Sequence, residues 1–420
     1  MYDSYYYGEG GLWCESVALS EIAESAGTPT YIYSHAALEQ AYKELDEAFS
    51  GLDHMVCYAV KANSNLAVLR TLAALGAGAD IVSGGELYRA MRAGFDPKKV
   101  VFAGVGKTED ELMAGLGERI LLFNVESASE LEHLEHFAFR HGKTARVSLR
   151  VNPDVAPDTH AHISTGQGTS KFGIPLEEAL ALAGRIGEYK CIEFIGVHQH
   201  IGSQITKLAP YAESVEKSAQ LVEELKRRGF DIKYFNIGGG LGIRYKDEEI
   251  PGPKELVDAV RPTLEALSAG GTKILCEMGR YIAGNAGVLL TRVIYRKKSG
   301  GKNFLVADAG MNDLLRPSLY DAYHEVRPVN NGAAAAPADL VGPVCESGDY
   351  LARDRDLPDA AEGDLLALMG AGAYGFSMAS NYNSRPRPAE VLVKGDRWSV
   401  VREREHLADL VKGELVPAFL

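Results

Sequence analysis

Tyr234-Phe235-Asn236-Ile237-Gly238-Gly239-Gly240 is the stretch that decides the fold. Its aromatic and β-branched run predicts a short strand, and three glycines end it. Toward the C-terminus, Lys254–Ser268 repeats apolar residues at helical spacing, and Lys273–Glu277 is again a short apolar run. Toward the N-terminus the same unit recurs. Candidate strands fall at Val56–Val60, Asp80–Ser83, Val100–Ala103, Ile120–Asn124, Ala145–Val151 and Phe194–His198. Helices are predicted between them at Asn65–Leu75, Glu86–Ala93, Glu109–Gly115, Glu126–Arg140, Leu176–Ile186 and Tyr211–Arg228. Eight such alternations match a TIM-like (β/α)8 barrel. A doubly wound sheet is the competing architecture, but nothing marks a reversal of strand order.

After Arg280 the texture changes. Val288–Tyr295, Phe304–Asp308 and Asp364–Met369 are extended-looking runs without long helices between them. Arg296-Lys297-Lys298, beside the turn signal Ser299-Gly300-Gly301, predicts a solvated hairpin end. These features predict a second, mostly antiparallel β domain, and Thr30–Tyr33 is a candidate to join its sheet. The expected fold class is therefore α/β plus β: a barrel over 35–280, with 1–34 and 281–420 forming the β domain. Within the latter, Leu314–Tyr323 looks like a helix broken by Pro317, and Asn330–Pro337 like a loop insertion.

Composition narrows the function. A chain of 420 residues, 46% hydrophobic and 24% charged, has the length of two or three domains and can bury a large core. Acids outnumber Lys plus Arg by 57 to 44, a formal charge of -13, which argues against nucleic acid as the main partner. No apolar run is long enough to cross a membrane, and the first residues carry no signal-peptide pattern. The 5 cysteines are scattered, with no Cys-x-x-Cys pair, so neither a disulfide framework nor a zinc site is expected. A cytoplasmic enzyme without a metal is the class that remains.

In a barrel the C-terminal strand ends line the active site. Here those ends carry Lys61, then Ser83 and Glu86, then His198, His200 and Ser203, then Gly238-Gly239-Gly240, and finally Glu277 and Arg280. A lysine ending an apolar strand is partly desolvated, which favours imine formation with an aldehyde; alternatively its ammonium snorkels to solvent. Three glycines after the seventh strand suit a phosphate nest, or simply a tight turn. Glu277 suits a protonated ring nitrogen, or a buried salt bridge to Arg280 or Lys61. His200 suits stacking on a planar group, or is a satisfied polar residue. Taken together, lysine, glycine nest and acid are the three handles that pyridoxal 5′-phosphate requires.

The chain resembles the fold type III, group IV pyridoxal-phosphate decarboxylases, whose fold is alanine racemase-like. The resemblance is carried by Tyr58-Ala59-Val60-Lys61-Ala62-Asn63, His198-Gln199-His200-Ile201-Gly202-Ser203, Gly238-Gly239-Gly240, Glu277-Met278-Gly279-Arg280, Cys345-Glu346-Ser347-Gly348-Asp349 and Gly372-Ala373-Tyr374-Gly375, across nearly the whole chain. It implies that Lys61 is the Schiff-base lysine and that His200 packs on the ring face. It implies phosphate contacts from Ser203, Gly240 and the backbone of Glu277, Met278, Gly279 and Arg280, with the Glu277 carboxylate at the pyridine nitrogen. Met278 stands where the family usually has proline. Cys345 resembles the proton donor, contributed across the interface of a homodimer with shared active sites. Arg280, Arg316, Tyr320, Glu346 and Tyr374 match the substrate-binding set, with Tyr374 also near the cofactor.

The implied reaction converts meso-2,6-diaminopimelate into L-lysine and CO2, the last step of lysine biosynthesis. Two arginines suit a distal carboxylate and Glu346 suits an ammonium. In the resembling ornithine enzymes aspartate typically follows the cysteine, where this chain has Glu346. The alternatives are a decarboxylase of another basic amino acid or of carboxynorspermidine, and a non-catalytic regulator, which could dispense with Lys61 and Cys345. Racemisation is a third; racemases of this fold place an arginine at the pyridine nitrogen, where this chain has Glu277.

Overall fold

The computed structural model describes residues 4–155, 171–330 and 334–420. The chain divides into two compact units, Leu38–Ile282 and a second one made from Met1–Ala37 with Ala283–Leu420.

The first unit is the closed barrel. Its strands are His54–Ala59, Gly78–Ile81, Val100–Phe102, Leu122–Val125, Ala145–Asn152, Ile192–Gln199, Tyr234–Asn236 and Lys273–Glu277. Each runs parallel to the next, and the last pairs back onto the first with Glu277 opposite Cys57. That closing pair excludes the doubly wound sheet. The helices between strands begin where their caps dictate. Ser83 and Ser127 accept from the backbone N–H of Glu86 and Glu130, and Thr108 with Glu111 forms a capping box.

Helix His35–Ala48, ahead of the first strand, was not expected from the sequence. Leu38, Ala41, Tyr42 and Leu45 of this helix are buried. The charged residues between them dilute the pattern without breaking the helical period.

Inside the barrel the side chains form two layers. Cys57, Val101, Leu122, Ile195 and Leu275 pack as an apolar plug. Two residues beyond Leu122, Leu275 and Tyr234, which also packs on the plug, Asn124, Glu277 and Asn236 turn inward as well, because side chains of one strand face alternate sides with a period of two. The polar layer therefore lies at the C-terminal ends of the strands.

In the second unit one sheet runs through Tyr350–Pro358, Ala335–Val341, Lys302–Ala307, Gly287–Ser299, Thr30–Ser34, Ala389–Lys394 and Arg397–Arg402. Its pairings are mostly antiparallel, as the sequence predicts. Two are parallel: Lys302–Ala307 with Ala335–Val341, and Thr30–Ser34 with Ala389–Lys394. Thr30–Ser34 does join this sheet, between Gly287–Ser299 and Ala389–Lys394. Ser299 opposite Lys302 forms the expected hairpin end. Leu19 and Ile22, from the unanticipated helix Leu19–Ala26, pack with Ile32, Val288, Leu290, Ala367 and Val391 as the core.

Two expectations need correction. Residues 331–333 of the expected loop lie outside the described residues, but Ala335–Pro337 opens a strand, with Ala335 paired to Pro358. The alanines have no turn chemistry of their own, and the ladder to Tyr350–Pro358 holds them extended. Pro317 does not break a helix. It lies in the first turn of Arg316–Tyr320, where its missing N–H costs nothing.

Candidate active site

Lys61 leaves the first barrel strand in a single 3-10 turn, Val60–Ala62. Its Nζ donates to Asp80 Oδ2 at 2.7 Å; the lysine side chain is 36% exposed and that of Asp80 fully buried. Burial, reinforced by the charge of Glu277 and opposed by Lys61, pushes the Asp80 carboxyl up to about 6. Ser83 and Glu86, both candidates from the sequence, instead organise a helix start. Ser83 Oγ accepts from Glu86 N, and Glu86 Oε2 accepts from Val82 N. Burial raises the Glu86 carboxyl to about 7.

Glu277 is held in the polar layer by three donors. Asn236 Nδ2 lies 2.6 Å from Oε1, Asn124 Nδ2 3.4 Å from Oε1, and His198 Nε2 3.2 Å from Oε2. Burial alone would raise this carboxyl. His198, through charge and hydrogen bond, together with Lys61, outweighs burial and holds it well below the usual range, so it is ionised. Among the described residues Glu277 pairs with His198, while Arg280 donates to Ser203 Oγ and to Tyr245 Oη, and Lys61 to Asp80.

The glycines after the seventh strand are required by close approach. A Cβ on Gly239 would lie 1.8 Å from the Glu277 carbonyl oxygen, and one on Gly240, at φ +107°, 2.3 Å from that of Gly202. Gly239 N donates to His200 Nδ1 at 3.1 Å, which fixes that nitrogen as an acceptor. Burial, with the positive charges of Arg150 and Lys61, holds His200 well below its ordinary range, so the ring is neutral. Met278 N donates to Cys57 O at 3.0 Å, a bond that a proline there could not make. The loop Glu277–Arg280 is thereby tied to the first strand.

These residues fit pyridoxal 5′-phosphate. A lysine, an ionised acid and a backbone cradle that side chains would fill stand at the strand ends. Asp80 Oδ1, Asn124 Oδ1, Ser148 Oγ and His198 Nδ1 are buried polar atoms with no hydrogen-bond partner among the described residues. Atoms of that kind are what a polar ligand or ordered water satisfies. Sequence reading missed Asp80, Asn124 and Asn236. Asn236 stands two residues before the glycines, on the inward period of its strand, and Asp80 at the end of the second strand; position alone was the available signal.

The other candidate residues belong to the second unit. Arg316 is 6% exposed, and its Nη1 donates to His324 Nε2 at 2.9 Å, while Tyr320 is half-buried. At that burial Arg316 is not an ordinary surface arginine. Cys345 and Glu346 are exposed. Cys345 N donates to Asn383 Oδ1 at 2.8 Å, and Tyr382 Oη to Glu346 Oε2 at 3.3 Å. Asp349 braces this loop, accepting from Met311 N and Val344 N, both at 2.6 Å. Tyr374 is half-buried at φ +57°, the left-handed region.

A closed parallel barrel with this lysine and acid at its strand ends defines a pyridoxal-phosphate enzyme, and residues 35–284 match the family described as pyridoxal-dependent decarboxylase, pyridoxal binding domain. Its cofactor is pyridoxal 5′-phosphate. Full-length similarity narrows the class. The diaminopimelate decarboxylase of Pseudomonas aeruginosa is 52% identical over 413 residues, covering 98% of this chain and 99% of that protein. A structure of the diaminopimelate decarboxylase from M. jannaschii with L-lysine is 40% identical at TM-score 0.94, covering 100% and 99%. The Helicobacter pylori enzyme with L-lysine is 42% identical at TM-score 0.91, covering 94% and 98%. This chain belongs to the diaminopimelate decarboxylases, and it is a carboxy-lyase.

Proposed function

We propose that this chain decarboxylates meso-2,6-diaminopimelate to L-lysine and CO2. The observation that carries the proposal is the pairing of two charged groups at the barrel mouth, Lys61 on Asp80 and an ionised Glu277 clasped by Asn236 and His198. Similarity to relatives named for this substrate, two of them in complex with L-lysine, supports the choice of substrate. When bound, pyridoxal phosphate supplies a sink for the electron pair released from the Cα–carboxylate bond.

Lys61 would hold the aldehyde carbon through Nζ. Ser203, Gly240 and the backbone of Glu277–Arg280, including Met278 and Gly279, would hold the phosphate. Glu277 would accept a hydrogen bond from the protonated ring nitrogen and favour its charge; its three donors hold the carboxylate in place, so no reorganisation is needed. His200, neutral and fixed by Gly239, presents a flat uncharged face. Arg280 and Arg316 would bind substrate carboxylate and Glu346 the distal ammonium, with Tyr320 and Tyr374 as further substrate contacts. Cys345 of the partner subunit delivers the proton that replaces CO2 at Cα and recovers one from solvent. The enzyme works as a homodimer in the cytoplasm, a setting in keeping with its five free cysteines.

The test is an absorbance scan of the purified protein with borohydride, followed by meso-diaminopimelate while lysine and CO2 are measured. A borohydride-sensitive band with lysine formation is expected. The same band with turnover only of ornithine, arginine or carboxynorspermidine would move the substrate; no band after adding pyridoxal phosphate would leave a non-catalytic protein. For the shared site, mixing Lys61→Ala and Cys345→Ala subunits restores part of the activity in hybrid dimers. Absence of recovery after verified subunit exchange would place Cys345 elsewhere.

A further inference from the structure

His324 has no role in any motif read from the sequence, yet its ring is 0% exposed and both of its nitrogens are engaged. Nδ1 lies 2.8 Å from the Met369 carbonyl oxygen. A carbonyl can only accept, so Nδ1 carries the proton, and Nε2 presents a lone pair. That lone pair faces Arg316 Nη1 at 2.9 Å, a group that only donates. The tautomer is therefore fixed by its two neighbours, and the ring is neutral.

The backbone of His324 is fixed as well. The strand Val326–Pro328 pairs antiparallel with Leu365–Leu368, and Met369 N donates to Glu325 O at 2.8 Å, extending the ladder to the histidine's neighbour. Arg355 Nη1 donates to the His324 carbonyl at 2.8 Å, and its guanidinium lies 3.8 Å from the Tyr323 ring centre. The ring is thus a rigid spacer between the sheet and the first turn of helix Arg316–Tyr320.

We propose that His324 is a positioning residue for Arg316, orienting the guanidinium that selects substrates carrying a distal carboxylate. This rests on the proposed function above. A long arginine side chain loses rotamer freedom when it is held, so holding it beforehand favours binding. A histidine does this differently from an acid. A carboxylate in this place would orient the cation and neutralise it; the neutral ring nitrogen orients it without adding a negative charge.

The test deletes the carboxylate from the ligand and the acceptor from the protein. L-lysine and cadaverine differ by one carboxylate, and the affinity of each for the holoenzyme is measured by inhibition of turnover. In His324→Leu, lysine binding weakens by about 10- to 100-fold, the range of one charge-assisted hydrogen bond, while cadaverine binding and the cofactor absorbance stay unchanged. His324→Gln, which keeps an acceptor near the Nε2 position, recovers most of the preference for lysine and remains informative if the leucine variant fails to fold. Arg316→Met abolishes the preference, and adding His324→Leu to it has no further effect on the ratio. Equal weakening of both ligands, or an unchanged ratio in His324→Leu, overturns the proposal. An unchanged ratio in Arg316→Met overturns it together with the substrate reading of Arg316.

Discussion

The barrel interior changes character within two residues. On one strand Leu275 joins the apolar plug and Glu277 the polar layer; Leu122 and Asn124 repeat the step on another. Both layers are buried by the same strands, so exposure does not distinguish them. The lower layer removes apolar surface from water and leaves no polar atom to satisfy. The upper layer holds carboxyl, amide, hydroxyl and imidazole groups, four of whose buried atoms have no hydrogen-bond partner among the described residues. Such a layer costs stability, and it persists where a ligand is to be gripped.

If that contrast is correct, the layers respond oppositely to mutation. The largest effect is expected in the upper one. Glu277→Gln keeps the shape but removes the charge, and kcat falls by roughly 10²–10³-fold with little change in melting temperature. A large drop in melting temperature with kcat per folded molecule retained would reverse the assignment of the layers. Leu275→Ala should do the opposite, costing about 3–4 kcal/mol in denaturant unfolding while kcat per folded molecule holds.

Asp80→Asn sharpens the contrast through pH. The carboxyl, raised to about 6 from 3.8, binds its proton more tightly folded than unfolded. The destabilisation it causes is therefore fully present above about pH 6 and disappears as pH falls toward 3.8. The variant should be more stable than the parent at pH 7, with the gain shrinking toward pH 4, while Lys61 loses its acidic partner. A gain independent of pH would mean that ionisation of Asp80 is not the cause. The smallest effect is at Ser83. As a helix cap it costs about 1 kcal/mol of stability when changed to alanine and leaves kcat alone. A loss of activity there would return Ser83 to the site.

Much of the fold was legible because it rests on local pattern. The βα alternation, the short apolar strands and the turn at Ser299-Gly300-Gly301 are written in neighbouring residues. Helix His35–Ala48 was not, since its apolar face is interleaved with charge and only the burial of Leu38, Ala41, Tyr42 and Leu45 reveals the period. The strand opened by Ala335 was hidden for a related reason: alanine prefers no strand, and pairing with Tyr350–Pro358 decides its state. The candidate site divides in the same way. Lys61, Glu277 and the glycines stand at strand ends and could be picked out by position. Asp80, Asn236 and His324 look like ordinary polar residues in sequence.

By itself the sequence determined the barrel, the second β unit, and the lysine, acid and glycines that suit a pyridoxal cofactor, because period, turn chemistry and residue type are local properties. Tertiary structure alone decided which groups charge one another. Lys61 donates to Asp80, Glu277 is kept ionised by His198 and Lys61, and Arg316 rests on a neutral His324. Such pairings join residues distant in sequence, and their strength depends on burial and on distances of about 3 Å that no spacing along the chain specifies.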